Sequence, residues 1–289
     1  MGEESETDHQ SEAVMEIQHH MDKLQVADWS VSEEEEVVLP STRGSGSSSS
    51  VVEGKNYTDW EAVNGEEGMF KKVGEGARVQ CLLRRDKETQ HGSVEYNIYH
   101  EVSLQHLLTV RKEGIWQYCF YLRTPTAGMG FAYDKIATLE SNFLGNKFTL
   151  LQKGDPFSAM TIKYETNLLG RGGPRKLHVY LPKIKVPEEY LDEVYEDPQW
   201  RQHIEKCVSR TAKWNAQVKA YVLNFHGRAA ISSIKNFVIT DPEERPENEF
   251  VVFGKAAAET FSLDVERPFS LIQGIALAIS TFERKFTCD

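Results

Sequence analysis

The residues that most often perform chemistry are few and scattered in this chain. His203 and Cys207 are four apart, so on a helix they would share one face, as metal ligands do, but no further ligands are spaced to complete a site. His226 has no nucleophile motif near it, and a catalytic histidine needs positioned partners. Gly170–Gly173 is not followed by Gly-Lys-Ser/Thr, so it indicates a turn between strands rather than a phosphate-cradling loop. The sequence therefore predicts no catalytic residue, no metal site and no cofactor, and a protein that is not an enzyme.

Charge divides the chain into two parts. Residues 1–60 contain 14 acidic and 3 basic residues, which accounts for the whole net charge of -11. The remaining residues are neutral in sum and lack the positive excess that general nucleic-acid binding needs. We therefore expect no direct binding to nucleic acid.

Cysteine usage and hydropathy indicate a reducing intracellular compartment. The four cysteines are far apart and form no Cys-x-x-Cys pair, and no apolar N-terminal segment resembles a secretory signal. The longest apolar stretch, Leu271–Ile279, is shorter than the roughly 20 residues that span a bilayer. We expect a cytoplasmic protein that is soluble or peripheral to a membrane.

Residues 76–289 consist of short β-rich runs separated by turns, a pattern that favours a sandwich or a barrel. A helical insertion is predicted around Pro198–Ala212. The predicted strands are Ala77–Leu83, Tyr96–Val102, Trp116–Leu122, Lys147–Leu151, Leu177–Leu181, Ala220–Phe225, Asn236–Thr240, Phe250–Phe253 and Thr260–Val265.

The segment after Pro268 is apolar on every side of a helix, so it must be surrounded by protein. Pro268 suits a first helical turn, and Asp264 and Glu266 would favour the positive helix end. A helix over 268–283 is about 24 Å long, close to the length of a seven-residue strand. The sequence therefore predicts a mainly β fold: a closed antiparallel β-barrel with a buried apolar C-terminal helix through its centre.

Residues 1–60 form a disordered acidic arm in this interpretation, and residues 61–75 a linker to the barrel domain at 76–289. Within the arm, four apolar residues recur at helical spacing and would form one narrow stripe. They indicate either a transient helix without a partner or a partner-binding helix that folds on docking. These residues are Val14, Ile17, Met21 and Leu24.

Several motifs in residues 76–289 resemble those of the tubby C-terminal domain family and occur in the same order. The stretch Tyr221–Arg228 is followed by Ser233–Phe237, and Phe261–Asp264 precedes the apolar helix and Cys288-Asp289. Upstream matches are Arg84–Lys87, Ser141–Phe148, Tyr164–Gly170 and Gly173–Lys176. The chain is thus identified as a tubby-like protein, without the helix-rich apolar segment of the F-box that plant members carry.

The resemblance implies the barrel described above and binding to phosphoinositide headgroups, especially the 4,5-bisphosphate. The family grips the phosphates with an Arg-Lys-Arg-Lys cluster, where this chain has Arg123-Thr124-Pro125-Thr126, and Glu140 stands where the family has arginine. We therefore expect Glu140 and 124–126 to occupy a degenerate site with weak lipid binding. The candidate phosphoinositide-binding residues are Arg123, Lys135, Lys147 and Arg175.

Two functions follow from the resemblance. One is a membrane adaptor in trafficking, including ciliary trafficking, or in signalling: the barrel binds phosphatidylinositol 4,5-bisphosphate or a related lipid, and the arm recruits trafficking or signalling proteins. Such a protein would be peripheral to the plasma or ciliary membrane. The alternative is a protein-interaction scaffold or nuclear regulator that has lost lipid binding.

Overall fold

A computed structural model describes residues 56–57, 65–87, 94–126, 130–155, 157–165, 175–185, 197–199, 201–216, 220–245 and 248–283. Its strands are β1 Asn56–Tyr57, β2 Ala77–Asp86, β3 Glu95–His100, β4 His106–Lys112, β5 Gln117–Pro125, β6 Phe131–Ser141, β7 Lys147–Gln152, β8 Ser158–Tyr164, β9 Leu177–Pro182, β10 Ile204–Ser209, β11 Lys213–Asn215, β12 Ala220–Val222, β13 Phe237–Thr240, β14 Glu249–Lys255 and β15 Thr260–Glu266. Its helices are α1 Gly65–Phe70 and α2 Leu271–Ser280, with a 3-10 turn at Arg201–His203.

Twelve antiparallel strands close into a barrel. The order β2-β15-β14-β13-β10-β9-β8-β7-β6-β5-β4-β3 returns to β2, where Cys81 lies opposite Leu263 of β15 and His100 of β3. The short strand β1 adds to β2 in parallel, and β11 and β12 form a separate two-stranded ribbon. The predicted closed barrel is confirmed.

Alternation along the strands builds the barrel interior. In β9, Leu177, Val179 and Leu181 are buried, whereas His178 and Tyr180 between them are half-buried on the outer face. The inward side chains meet α2, in which every residue except Gln273 is buried. The apolar C-terminal helix therefore fills the barrel, as predicted.

The helix begins later than predicted. Ser270 is the N-cap, and its backbone N–H donates to Gln273 Oε1 at 2.9 Å, so α2 starts at Leu271 and not at Pro268. Asp264 does not serve the helix end; it lies in β15 and pairs with Arg228 at 2.7 Å. Gln273 Nε2 also donates to the Ala159 carbonyl at 2.8 Å, which ties the first turn to β8.

The predicted helical insertion at Pro198–Ala212 is wrong. Beyond the 3-10 turn, this stretch contains β10, which pairs with β9 and β13. Cys207 and Ser209 face inward while Lys206 and Val208 face outward, and this period of two is typical of a strand. His203 and Cys207 therefore lie on no common helix face.

The part of the predicted linker that the structure describes belongs to the barrel unit. Residues 65–70 form α1, and Met69 is fully buried in the core. The Val73 N–H donates to the Phe269 carbonyl at 2.9 Å, just before α2. Residues 1–55, including the predicted arm helix, lie outside the described residues.

Candidate functional site

Because a helix fills the lumen, ligands must bind on the outer wall or at the barrel ends. On β5, Phe120 and Leu122 point into the core, so Tyr121 and Arg123 point outward. On β6, Lys135 lies opposite Tyr121, and Tyr133 lies opposite Arg123. Directly opposite residues share a face, and Arg111 of β4, opposite Cys119, lies beside Tyr121. These side chains form one outer surface, here called the β4–β6 surface, whose bases are Arg111, Arg123 and Lys135.

The arginines of this surface lie against aromatic rings. The Arg123 guanidinium lies 3.4 Å from the ring centroid of Phe131, near the end of the β5–β6 hairpin. The Arg111 guanidinium lies 4.6 Å from the Tyr133 ring and 5.4 Å from the Tyr121 ring. Stacking on rings leaves the edges of a guanidinium available for hydrogen bonds to an anion.

Carboxylates lie next to Arg111 and Lys135. Arg111 Nε donates to Glu95 Oε1 at 2.8 Å. The Tyr121 hydroxyl donates to Glu113, which lowers the pKa of that carboxyl, and the nearby Lys135 ammonium lowers it further. The β4–β6 surface is therefore basic and aromatic in composition but carries little net positive charge.

A buried polar network joins β3 and β4 near Arg123. His106 Nε2 lies 3.0 Å from Thr109 Oγ1, and the Thr109 hydroxyl donates to Asn97 Oδ1 at 2.7 Å. Burial, assisted by the charge of Arg123, lowers the pKa of His106 to about 4. The imidazole is therefore neutral at physiological pH and does not add to the positive charge of the surface.

Glu140 and 124–126 lie at opposite ends of the β5–β6 hairpin. Glu140 is opposite Gln117, whose side-chain amide donates to Glu140 Oε1 at 3.0 Å. Arg123 is opposite Tyr133, seven residues from Glu140, which corresponds to roughly 23 Å along the strand. The expectation that Glu140 and 124–126 occupy one site is therefore wrong, because the pairing of β5 with β6 places them near opposite ends of the hairpin.

The comparison with known proteins agrees with this architecture. The sequence model of the Tub family matches residues 69–284, about three quarters of the chain. The chain belongs to the Tub family. The predicted membership of the tubby family is confirmed, and the match begins within α1, which belongs to the barrel unit.

Similar curated proteins carry tubby names. Tubby-related protein 3 of Mus musculus is 29% identical over 260 residues, covering 79% of this chain and 56% of that protein. Protein king tubby of Drosophila sechellia and of Drosophila yakuba are each 31% identical over 169 residues, covering 52% of this chain and 38% of those proteins. The chain thus spans about half, or less, of the length of these relatives.

The structure of this Tub-family chain brings only two of the four candidate lipid-binding residues together, Arg123 and Lys135. Lys147 begins β7 opposite Lys163, and Arg175 precedes β9, two strands further around the wall. There Arg175 lines a groove of about 490 Å³ together with Arg210. A ligand held by Arg123 and Lys135 would therefore not reach Arg175.

The motif comparison missed Arg111, the third base of the β4–β6 surface. A signal was present: the run Leu108–Lys112 alternates buried Leu108 and Val110 with outward Thr109 and Arg111, although Thr109 itself is covered. Arg111 lies opposite Cys119 of β5, which places it beside Tyr121. Because β4 was not predicted as a strand, its outward arginine could not be assigned to the surface.

Metal binding and membrane spanning are two further possibilities for the described residues. In that part of the chain, His, Cys, Asp and Glu form no group of three or more that could hold a metal ion. None of the described helices is long and apolar enough to cross a membrane. The candidate partner-binding residues Val14, Ile17, Met21 and Leu24 are outside the described ranges, and their role stays a prediction.

Proposed function

We propose that this Tub-family protein is a non-enzymatic, phosphoinositide-directed membrane adaptor in trafficking, including ciliary trafficking, or in signalling. The observation that carries the proposal is the β4–β6 surface, where Arg111, Arg123 and Lys135 converge with exposed aromatic rings. Guanidinium and ammonium groups recognise phosphates by charge-assisted hydrogen bonds. Since Glu95 and Glu113 offset two of the bases, binding should be weak and sensitive to salt.

In this proposal the barrel and residues 1–60 have different roles. The barrel would bind phosphatidylinositol 4,5-bisphosphate or a related lipid at the cytoplasmic side of the plasma or ciliary membrane. Residues 1–60 would recruit trafficking or signalling proteins. Membership of the Tub family supports the proposal.

Vesicle co-sedimentation of the full chain tests lipid binding. Lys135→Gln should weaken binding to vesicles containing phosphatidylinositol 4,5-bisphosphate by about tenfold or more, because one charge-assisted contact contributes about 1.5–3 kcal/mol. The matched control is Lys206→Gln, which removes an exposed lysine from the outer face of β10. Equal effects of the two substitutions would contradict a specific site and leave only diffuse attraction.

One observation favours a scaffold or nuclear regulator that has lost lipid binding. Glu140 places an acid on the outer face and is held there by Gln117, where the resemblance leads one to expect an arginine. Glu140→Arg should raise vesicle affinity if the wall near Gln117 faces lipid. Glu140→Gln is the matched control, because it removes the repulsion between Glu140 and anionic lipid without adding the attraction of a new positive charge. Failure of the wild type and of Glu140→Arg to bind any phosphoinositide vesicle would make the scaffold the better account.

A further inference from the structure

Two hairpin turns lie side by side at one end of the barrel. The first connects β4 to β5 and contains Ile115 and Trp116, and the second connects β6 to β7 and contains Phe143 and Leu144. The Ser141 N–H donates to the Trp116 carbonyl at 2.8 Å, and the Trp116 and Phe143 rings are 5.6 Å apart. These four apolar residues, which are distant in sequence, are here called the apolar tip.

Three residues of the apolar tip are exposed and Trp116 is half-buried, while hydrogen bonds order the backbone of the turns. Ile115 is 70% exposed, Phe143 73% and Leu144 40%. The Asn142 side chain accepts the N–H of Asn146 at 3.0 Å and that of Lys147 at 3.1 Å, which closes the second turn. Single exposed apolar residues are common, but a cluster of them marks an interaction site.

The charge pattern around the apolar tip suits a membrane surface. The turn residues 114–116 and 142–146 include no charged side chain. Lys147 follows the second turn and lies opposite Lys163, so two lysines occupy neighbouring outer positions where anionic headgroups would lie. The nearest acids are Glu113 and Glu140 at the base of the turns; Glu113 accepts the Tyr121 hydroxyl, and Glu140 accepts the Gln117 side-chain amide.

We propose that the apolar tip inserts into the interfacial layer of a lipid bilayer. The inference rests on the proposed membrane function: strands β4, β5 and β6, which carry the basic surface, end in these turns, and Arg111 lies nearer to the turns than Arg123 does. Hairpin turns at a barrel end project outward, and tryptophan is enriched at the level of the headgroups. Burial of apolar area in the bilayer would add an attraction that does not depend on lipid charge.

Paired substitutions test the apolar tip on vesicles of phosphatidylcholine with and without phosphatidylinositol 4,5-bisphosphate. Ile115→Ser and Phe143→Ser should each weaken partition of the full chain by about tenfold on both vesicles. The control Val102→Ser alters a residue that is also 70% exposed, in the β3–β4 turn at the other end of β4. Lys135→Gln should act only on the vesicles that contain the phosphoinositide.

A probe of the environment separates insertion from docking to a protein. An NBD dye on Ile115→Cys, in a Cys288→Ser background, should shift its emission to the blue on vesicles, whereas the dye on Val102→Cys should not. The other cysteines, Cys81, Cys119 and Cys207, are buried and so poorly accessible to the dye.

Each outcome decides between the two proposals. A dye that stays in water while the protein sediments with vesicles overturns the tip insertion and leaves the lipid function standing. Binding that depends on the apolar tip but not on the phosphoinositide supports insertion and overturns the proposed headgroup recognition. Absence of binding to both vesicles overturns both.

Discussion

Gly274 is where the central helix comes closest to the barrel wall. A Cβ added at this position would lie 2.4 Å from Cγ2 and 3.2 Å from Cγ1 of Val265 on β15. Carbon atoms in contact normally stay about 3.5–4.0 Å apart, so Gly274→Ala forces one of the two elements to shift. Val265 is fully buried in a strand that is paired on both sides, and its β-branched side chain has few alternative rotamers.

Two effects oppose each other in this variant. Alanine is favoured over glycine inside a helix by about 1 kcal/mol. Overpacking a dense core costs about 1–3 kcal/mol, and more when the neighbours cannot move. With a helix enclosed on all sides the second effect should win, so we expect Gly274→Ala to lower the free energy of unfolding by about 1–2 kcal/mol.

A double-mutant cycle makes the test specific. Val265→Ala removes both Cγ atoms, after which the nearest remaining Val265 atom, Cβ, is 3.4 Å from the new methyl group. Measured by urea unfolding, the double variant should therefore be more stable than the sum of the single effects by about 1 kcal/mol or more. Gly74→Ala is the control, because its new Cβ meets only Ala77 Cβ at 3.6 Å. A Gly274→Ala protein as stable as the wild type would refute the enclosed packing of α2.

Two further predictions concern the wall. The pKa of His106 is lowered from its ordinary 6.5 to about 4, so the unfolded state binds more protons than the folded state between these pH values. The contribution of His106 to stability should therefore fall by up to about 3 kcal/mol as the pH drops through that window. Urea unfolding across pH should show this loss in the wild type relative to His106→Gln, and parallel curves for the two proteins would contradict it. Gly254→Ala would place a Cβ 2.6 Å from the Arg228 carbonyl oxygen, so it should displace the segment around Arg228, whose side chain pairs with Glu101. This displacement should destabilise the protein by about 1–3 kcal/mol. An unchanged unfolding midpoint would speak against the close approach of Gly254 to Arg228.

The fold was largely predictable because two strong patterns coincide. Many short β-rich runs indicate a closed β structure, and a helix that is apolar on all sides needs an enclosure. The four missed wall strands β4, β6, β8 and β10 carry weaker patterns. In β6, for example, a bulge opposite Phe120 and Tyr121 makes both Ile136 and Ala137 buried, which breaks the period of two.

The candidate site was harder to predict because it depends on register. Arg123 and Lys135 were named from the motif comparison, but only the pairing of β5 with β6 shows that they share a surface. The same pairing separates Glu140 from 124–126, and no sequence spacing reveals that distance. Arg111 reaches the surface through β4, whose strand character the sequence hardly signals.

Because α2 fills the lumen, this barrel can recognise a ligand only on its outer wall or at its ends, and on the β4–β6 surface Arg111 and Lys135 each have a carboxylate nearby. Arg111 is engaged by Glu95, and Lys135 lies near Glu113, so the net attraction for a polyanionic headgroup is small. Stable membrane attachment generally needs two weak signals acting together. The apolar tip at the end of the same strands supplies a second signal of a different physical kind, so the two contributions should add on a vesicle while only the basic surface responds to salt.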